Sequence, residues 1–395
     1  MITLKELNIR NKKVLIRVDF NVPLEKGVIK DLFRLDAVVP TINYCLSQNA
    51  SIILMSHLGR PTNKDVNLSL YPLLDYLEEK FKVFVHFSDD CVSELAIKTS
   101  NEMLCKEIHL LENLRYYKEE VNNDISFSEN LAKHADIYIN DAFGLSHRSH
   151  ASNSSILQFF KHKAIGLLIE NEIKNLTYNV NKETIVIIGG AKISTKIKMI
   201  DNYLGKVSHI LIGGAMAFTF LKSLGYDIGL SLYEDKMIED ARDLIINSKK
   251  MNTKIILPDD FVCSKNFENI DEVMLFNSKH IPDDYMGLDI GPETSIKFNM
   301  ILSTAKKVIW NGPMGMFEKN SFATGTQSIA YEIKELTNKN NLFSVIGGGD
   351  TVRAIKAFTS TVHYTHVSTG GGASLKLLSG DKLEFLTSWD KYESK

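Results

Sequence analysis

The chain has 395 residues, 44% hydrophobic and 24% charged, which suits a globular protein with two or three cores. A formal net charge of -2 argues against a dedicated nucleic-acid binder, so any polyanion site must be local.

From the start, short β-branched runs alternate with longer helical patterns, the signature of a parallel sheet covered by helices. The pattern predicts strands over 14–18, 51–55, 83–87, 107–111 and 137–139, and helices over 34–47, 70–80 and 127–133. In such sheets ligands sit outside the carboxyl ends of the strands. Those places hold Asp19 and Asn21, then His57 and Arg60, then Arg115, and finally Arg148 beyond the last strand. Arg34 lies just past the Asn21 turn. Taken singly, each arginine reads as a solvated charge or half of a structural ion pair. Their shared topological position reverses that preference and makes a basic pocket. Guanidinium forks match carboxylate and phosphate oxygens, so a small, multiply anionic substrate is expected. His147-x-x-His150 has no third ligand beside it and is not read as a zinc site.

Residues 166–181 have helical spacing between two strand-rich halves and read as a connecting helix, or equally as another helix on a sheet. Beyond them, apolar runs at 185–188, 210–212, 342–346 and 367–369 each end in glycines. The turns are Gly189-Gly190, Gly213-Gly214, Gly347-Gly348-Gly349 and Gly370-Gly371-Gly372, each followed by a helix-compatible segment. One such turn is as easily a plain strand-to-helix connection, with Asp350 as N-cap. Their repetition points to phosphate cradles, because helix N-termini expose N–H groups and glycines let an anion approach.

Lys192 and Lys196 fall at i and i+4 near a helix start, where cations oppose the macrodipole by roughly 0.3 to 1 kcal/mol each. An anion between them removes that cost; two exposed lysines that tolerate it are the alternative. Residues 257–262 read as a strand end and loop, and 289–294 as a turn before a helix. A strand at 308–310 enters a loop in which Met314, Met316 and Phe317 either wall a slot for a planar base or serve as core. Glu318 is then free for ribose hydroxyls.

The dinucleotide fingerprint, the P-loop, Gly-x-Ser-x-Gly and His-Glu-x-x-His are all missing. Phosphate sites must therefore come from several helix N-termini, and the pairing of an anion pocket with a nucleotide cradle suggests transfer across a cleft. An NAD-dependent dehydrogenase is disfavoured by the missing fingerprint, and a non-catalytic anion-binding scaffold by the full set of basic and glycine positions. Cys45, Cys91, Cys105 and Cys263 make no C-x-x-C pair or disulfide framework. No apolar run approaches a membrane span, the N-terminus lacks a signal-peptide core, and residues 393–395 are no peroxisomal address. A cytoplasmic monomer is expected.

Together these motifs resemble the phosphoglycerate kinase family over essentially the whole chain. The resemblance rests on Arg17-Val-Asp-Phe-Asn-Val-Pro23, Ser56-His-Leu-Gly-Arg-Pro61, Glu112-Asn-Leu-Arg115 and the stretch 141–150. In the second half 189–196, 213–220, 310–318, 347–351 and 368–374 follow in order. It implies an α/β protein of two doubly wound parallel-sheet domains joined by a helix and hinge. The implied boundaries are 1–165 with 376–395 for the phosphoglycerate-binding domain, 166–180 for the interdomain helix, and 181–375 for the nucleotide-binding domain.

The implied reaction is reversible phosphoryl transfer between 1,3-bisphosphoglycerate and ADP, giving 3-phosphoglycerate and ATP with Mg2+. Asp19, Asn21, Arg34, His57, Arg60, Arg115 and Arg148 would hold phosphoglycerate. Gly190, Ala191, Lys192, Lys196, Gly213, Gly214, Asn311, Pro313, Glu318 and the run Gly347, Gly348, Gly349, Asp350, Thr351 would hold nucleotide, with Asp350 on the metal. Arg34, Lys196, Gly349 and Gly372 would share the charge of the transferred phosphoryl. The chain departs from the family pattern at Lys376, in the C-terminal tail, in a short loop at 62–67, and at Arg353, where a small residue is expected beside the nucleotide cradle.

Overall fold

The computed structural model describes residues 1–266 and 273–393. The chain divides into two compact units, residues 1–174 with 382–395 and residues 175–381. The last two positions of the C-terminal segment lie outside the described residues.

In the first unit β1 (Lys13–Arg17), β2 (Ser51–Met55), β3 (Val85–Ser88), β4 (Ile108–Leu111), β5 (Ile137–Asn140) and β6 (His162–Ile165) form one sheet. Its order is β3-β4-β2-β1-β5-β6 and all pairings are parallel. Every residue of β2 is buried, because helices cover both faces; that is why the central strands read as continuous apolar runs. The edge strand β6, with only Ala164 and Ile165 buried, carries no such run and is not foreseen from the sequence.

The helix expected over 34–47 is two helices, α1 (Phe33–Ala37) and α2 (Val39–Ser47). Pro40 in the first turn of α2 cannot donate a backbone hydrogen bond, so the chain breaks at Val38. The expected 70–80 helix is a 3-10 turn followed by α3 (Leu74–Phe81), again after a proline, Pro72. Then α4 (Ile125–Ala132) starts early because Asp124 Oδ1 caps it, accepting from Phe127 N–H at 2.8 Å.

The linking stretch forms α5 (Leu167–Thr177), and the division between the units falls within it. Its start is tied to the first sheet. Buried Asp141, just after β5, accepts from the Leu168 and Ile169 amides at 3.0 and 3.2 Å through Oδ1. Burial pushes its carboxyl up to about 7.

The second unit opens with β7 (Thr184–Ile188), β8 (His209–Ile212) and β9 (Lys254–Ile256), between which lie α6 (Ile197–Tyr203) and α7 (Met216–Ser223). Next, β10 (Asp260–Ser264), β11 (Val273–Asn277) and β12 (Met286–Ile290) form a separate antiparallel sheet in the order β11-β10-β12. The strand end and loop expected at 257–262 thus continues into a paired strand, whose alternation is too short to read beside Pro258. The main sheet resumes after α8 (Pro292–Leu302) with β13 (Lys307–Asn311), then α9 (Thr324–Asn340), β14 (Phe343–Gly347), α10 (Gly349–Phe358) and β15 (His366–Val367). Its order is β9-β8-β7-β13-β14-β15, all parallel. Each main sheet reverses its winding once, between β1 and β5 and between β7 and β13, so both units are doubly wound.

At the C-terminal end α11 (Gly372–Leu378) stays in the second unit, and so do residues 376–381, which the sequence reading grouped with the first domain. Asn202 Nδ2 donates to Leu378 O at 2.9 Å, and Lys198 pairs with Asp381 at 3.5 Å. The last helix, α12 (Glu384–Glu393), packs in the first unit with Phe385 and Trp389 buried. Phe385 N donates there to Ser146 O at 3.0 Å.

Beside β3 and β4 runs a buried polar chain. His109 bonds Ser88 Oγ at 2.8 Å and Ser100 Oγ at 2.8 Å, and Ser100 Oγ bonds His134 Nδ1 at 2.6 Å. Burial, then the neighbouring His134 and His86, push the His109 ring down to about 3. The unfolded ring takes a proton near its ordinary value while the folded one refuses it, so stability falls as pH drops from about 6.5 towards 3. Urea unfolding should show the difference between native protein and His109→Gln shrinking by on the order of 2 kcal/mol between pH 7 and 4.5.

Candidate active site

The basic pocket lies at the carboxyl edge of the first sheet. Asp19, almost fully buried, accepts from Asn21 N at 3.2 Å and pairs with the Arg34 guanidinium on α1 at 3.3 Å. Arg34 also donates to Asn21 O at 3.1 Å, and Asn21 Oδ1 accepts from Gly59 N at 2.9 Å. Arg115 donates to Gly59 O, so the turns after β1, β2 and β4 are knitted together. Arg148 Nε donates to His147 Nε2 at 3.2 Å. Burial, then the charges of Arg17 and Arg148, push Arg115 down to about 10 against the opposing pull of Asp19 and Glu120. Arg60 differs: it is exposed, with no ion pair among the described residues.

Beneath this surface stands a group the sequence reading passed over. Arg17, at the end of β1, is fully buried and donates through Nε to Ser152 Oγ at 2.8 Å. Its NH2 lies 3.1 Å from His57 Nδ1 and 3.8 Å from Glu120 Oε1. A guanidinium can only donate, so His57 Nδ1 accepts and the neutral ring carries its proton on Nε2. Burial, then Arg17 and the other arginines, hold His57 well below its ordinary value. Burial alone would raise the Glu120 carboxyl; His150, Arg17 and the Ser152 hydroxyl outweigh it and hold the group low. The available signal was an arginine ending the apolar strand Val14-Leu15-Ile16, where a charge must find a buried partner.

In the second unit the glycine turns meet at the β7/β13 switch point. One cavity of about 560 Å³ is walled by Gly190, Ala191, Gly214, Phe218, Met316 and Phe317, with Glu318 and Asp350 at its polar side. A second, of about 350 Å³, is lined by Lys192, Lys196, Asn311, Gly348, Gly349, Asp350, Thr351, Gly371 and Gly372. Pro313 and Asp350 border both. Of the expected residues, Gly213 and Gly347 line neither: Gly213 packs against Met314, and Gly347 against Asn311. Met314 is buried in the core and also lines the larger cavity with Met316 and Phe317, so at Met314 both readings of that loop hold together.

The N-cap of α10 is Gly348, at φ 89°, and not Asp350, whose carboxylate instead accepts from Arg353 and borders both cavities. Thr351 Oγ1 accepts from Gly312 N at 2.7 Å and holds the β13 loop. Lys196 Nζ donates to Asn311 Oδ1. Burial pushes its ammonium down to about 8 against the opposing pull of Asp350. Asp289, also unforeseen, accepts from Gly325 N at 2.7 Å and ties the larger cavity to the start of α9. Among the described residues no three His, Cys, Asp or Glu side chains gather as a metal site. A lone carboxylate where two cavities meet fits a hard divalent cation that takes its other ligands from phosphate oxygens.

The family model described as phosphoglycerate kinase matches residues 4–381. The chain belongs to the phosphoglycerate kinase family. It is 42% identical over 386 residues to a phosphoglycerate kinase of Prochlorococcus marinus, covering 96% of each chain. It is also 42% identical over 393 residues to a cytosolic phosphoglycerate kinase of Triticum aestivum, covering 98% of each. A solved phosphoglycerate kinase from Coxiella burnetii superposes with a TM-score of 0.87 at 31% identity, over 99% of both chains. As a phosphoglycerate kinase the chain is a transferase that moves a phosphoryl group reversibly in glycolysis. Among the described residues no helix is long and apolar enough to cross a membrane.

Truncating Arg17 leaves Glu120 buried without its cation. Arg17→Ala should therefore lower unfolding stability by about 3 to 5 kcal/mol in urea titrations, far more than Arg60→Ala at the exposed rim.

Proposed function

We propose that the first-unit pocket holds 3-phosphoglycerate through Asp19, Asn21, Arg34, His57, Arg60, Arg115 and Arg148, and that the second-unit cavities hold ADP or ATP. The observation that carries this reading is the convergence of Lys196, Gly349, Asp350 and Gly372 on one cavity that shares a border with an apolar-walled one. The larger cavity takes the base and ribose, with Glu318 on the hydroxyls. The smaller takes the phosphates.

In the direction of ATP synthesis the acyl phosphate of 1,3-bisphosphoglycerate gives its phosphoryl group to ADP. In reverse the nucleophile is a carboxylate already ionised at neutral pH, so no general base is needed. Catalysis is then positioning and charge neutralisation. Lys196 and the amides at Gly349 and Gly372 face the transferred group from the nucleotide side, and Arg34 serves it from the phosphoglycerate side. Magnesium, held by Asp350 and nucleotide oxygens, would supply further positive charge when bound. We place the enzyme in the cytoplasm as a monomer.

A coupled assay of ATP-dependent acyl-phosphate formation, run with ATP and with GTP, tests the reading. Lys196→Ala and Arg34→Ala should each lower kcat by about two to three orders of magnitude while substrate affinity changes far less. Near-normal turnover in either variant would remove that residue from the mechanism.

Because the two ligands belong to different units, transfer requires closure about residues 166–180. Small-angle X-ray scattering should show a smaller radius of gyration with both ligands than with either alone; an unchanged radius rules closure out.

A further inference from the structure

Arg353 is one helical turn past Asp350 on α10, and its contacts reach outside that helix. NH2 lies 2.8 Å from Asp350 Oδ1 and 3.3 Å from Glu318 Oε1 on the β13 loop. The guanidinium carbon is 5.6 Å from the Phe317 ring centroid, within cation–π range. A solvated i,i+3 ion pair would explain the first contact alone. It would not explain why the same guanidinium also meets a carboxylate and an aromatic face from another segment, Glu318 and Phe317, which border the larger cavity as Asp350 does.

The two carboxylates are the ones that the reading above gives to the ribose and the metal. Both are held by one cation that belongs to the protein. We propose that Arg353 is a specificity-determining residue that substitutes in part for the divalent cation. With no metal present it neutralises Asp350 and favours metal-free nucleotide. With metal present it competes for the same carboxylate oxygen, so more magnesium is needed. The outcome is a weaker dependence of nucleotide binding on magnesium than Asp350 alone would give.

This inference rests on nucleotide occupying the second-unit cavities. Its test is isothermal titration calorimetry of ADP with the full chain, in EDTA and across a magnesium series. Coupling between exposed charges is modest, so factors of about two to five are expected. In Arg353→Ala the magnesium concentration for half-maximal enhancement of ADP binding should fall by that factor, and the ADP Kd in EDTA should rise by a similar one. Arg353→Gln, which keeps the length but loses the charge, should behave alike, and Arg353→Lys should fall between them and the native protein. An unchanged magnesium midpoint in both neutral variants overturns the proposal, as does ADP binding that tightens equally with and without magnesium. Failure of the native protein to bind ADP under either condition overturns the nucleotide reading and this inference with it, a result distinct from variants that bind like the native chain.

Discussion

Where β7 and β13 end, backbone packs directly on backbone. A Cβ on Gly189 would lie 2.1 Å from Pro313 O, and one on Gly312 would lie 2.1 Å from Gly189 O. Gly312 also sits at φ +106°, so only glycine meets both demands there. The approach lets Gly189 and Gly190 donate to Asn311 O and Pro313 O, each at 3.0 Å, which seals the switch point without any side chain. The second-unit cavities are built on this seam: Asn311 presents its amide oxygen to Lys196, Thr351 reaches back to Gly312, and the loop to Glu318 is set against the glycine turns.

The first-unit pocket solves a different problem. Several cations must be kept close together with no anion bound, and their repulsion has to be offset from below. Glu120 and Asp19 do this from buried positions, so the pocket surface stays positive while the ground beneath it is balanced. Burial, and after it the neighbouring cations, push Arg115 and His57 toward their uncharged forms.

How much of this was legible depended on burial. Strands closed on both faces read plainly, and β2 was met residue for residue as 51–55. The glycine turns were legible because their spacing marks the carboxyl ends of strands, where topology gathers ligands. Features governed by distant partners were not. Nothing local announces that Arg17 meets Ser152, 135 positions away, or that Glu120 lies under the pocket. Breaks within helices, at Val38 and before Leu74, follow from prolines that were visible but were overridden by apolar periodicity. The antiparallel sheet escaped although β11 carries the apolar run Val273 to Phe276, because that run is largely exposed and does not follow the strand-to-glycine-turn pattern of the main sheet. The cap of α10 turned on a positive φ at Gly348, which no side-chain pattern encodes.

The C-terminal helix α12 gives the two units unequal histories. The second unit is one continuous stretch, 175–381, whereas the first is complete only when residues from 382 onward join residues 1–174. Phe385 and Trp389 are buried within the first unit. On the ribosome, then, the amino-terminal unit emerges first but closes last, after the nucleotide-type unit has had its whole sequence available. The order in which the units start and the order in which their sequences become complete are thereby reversed.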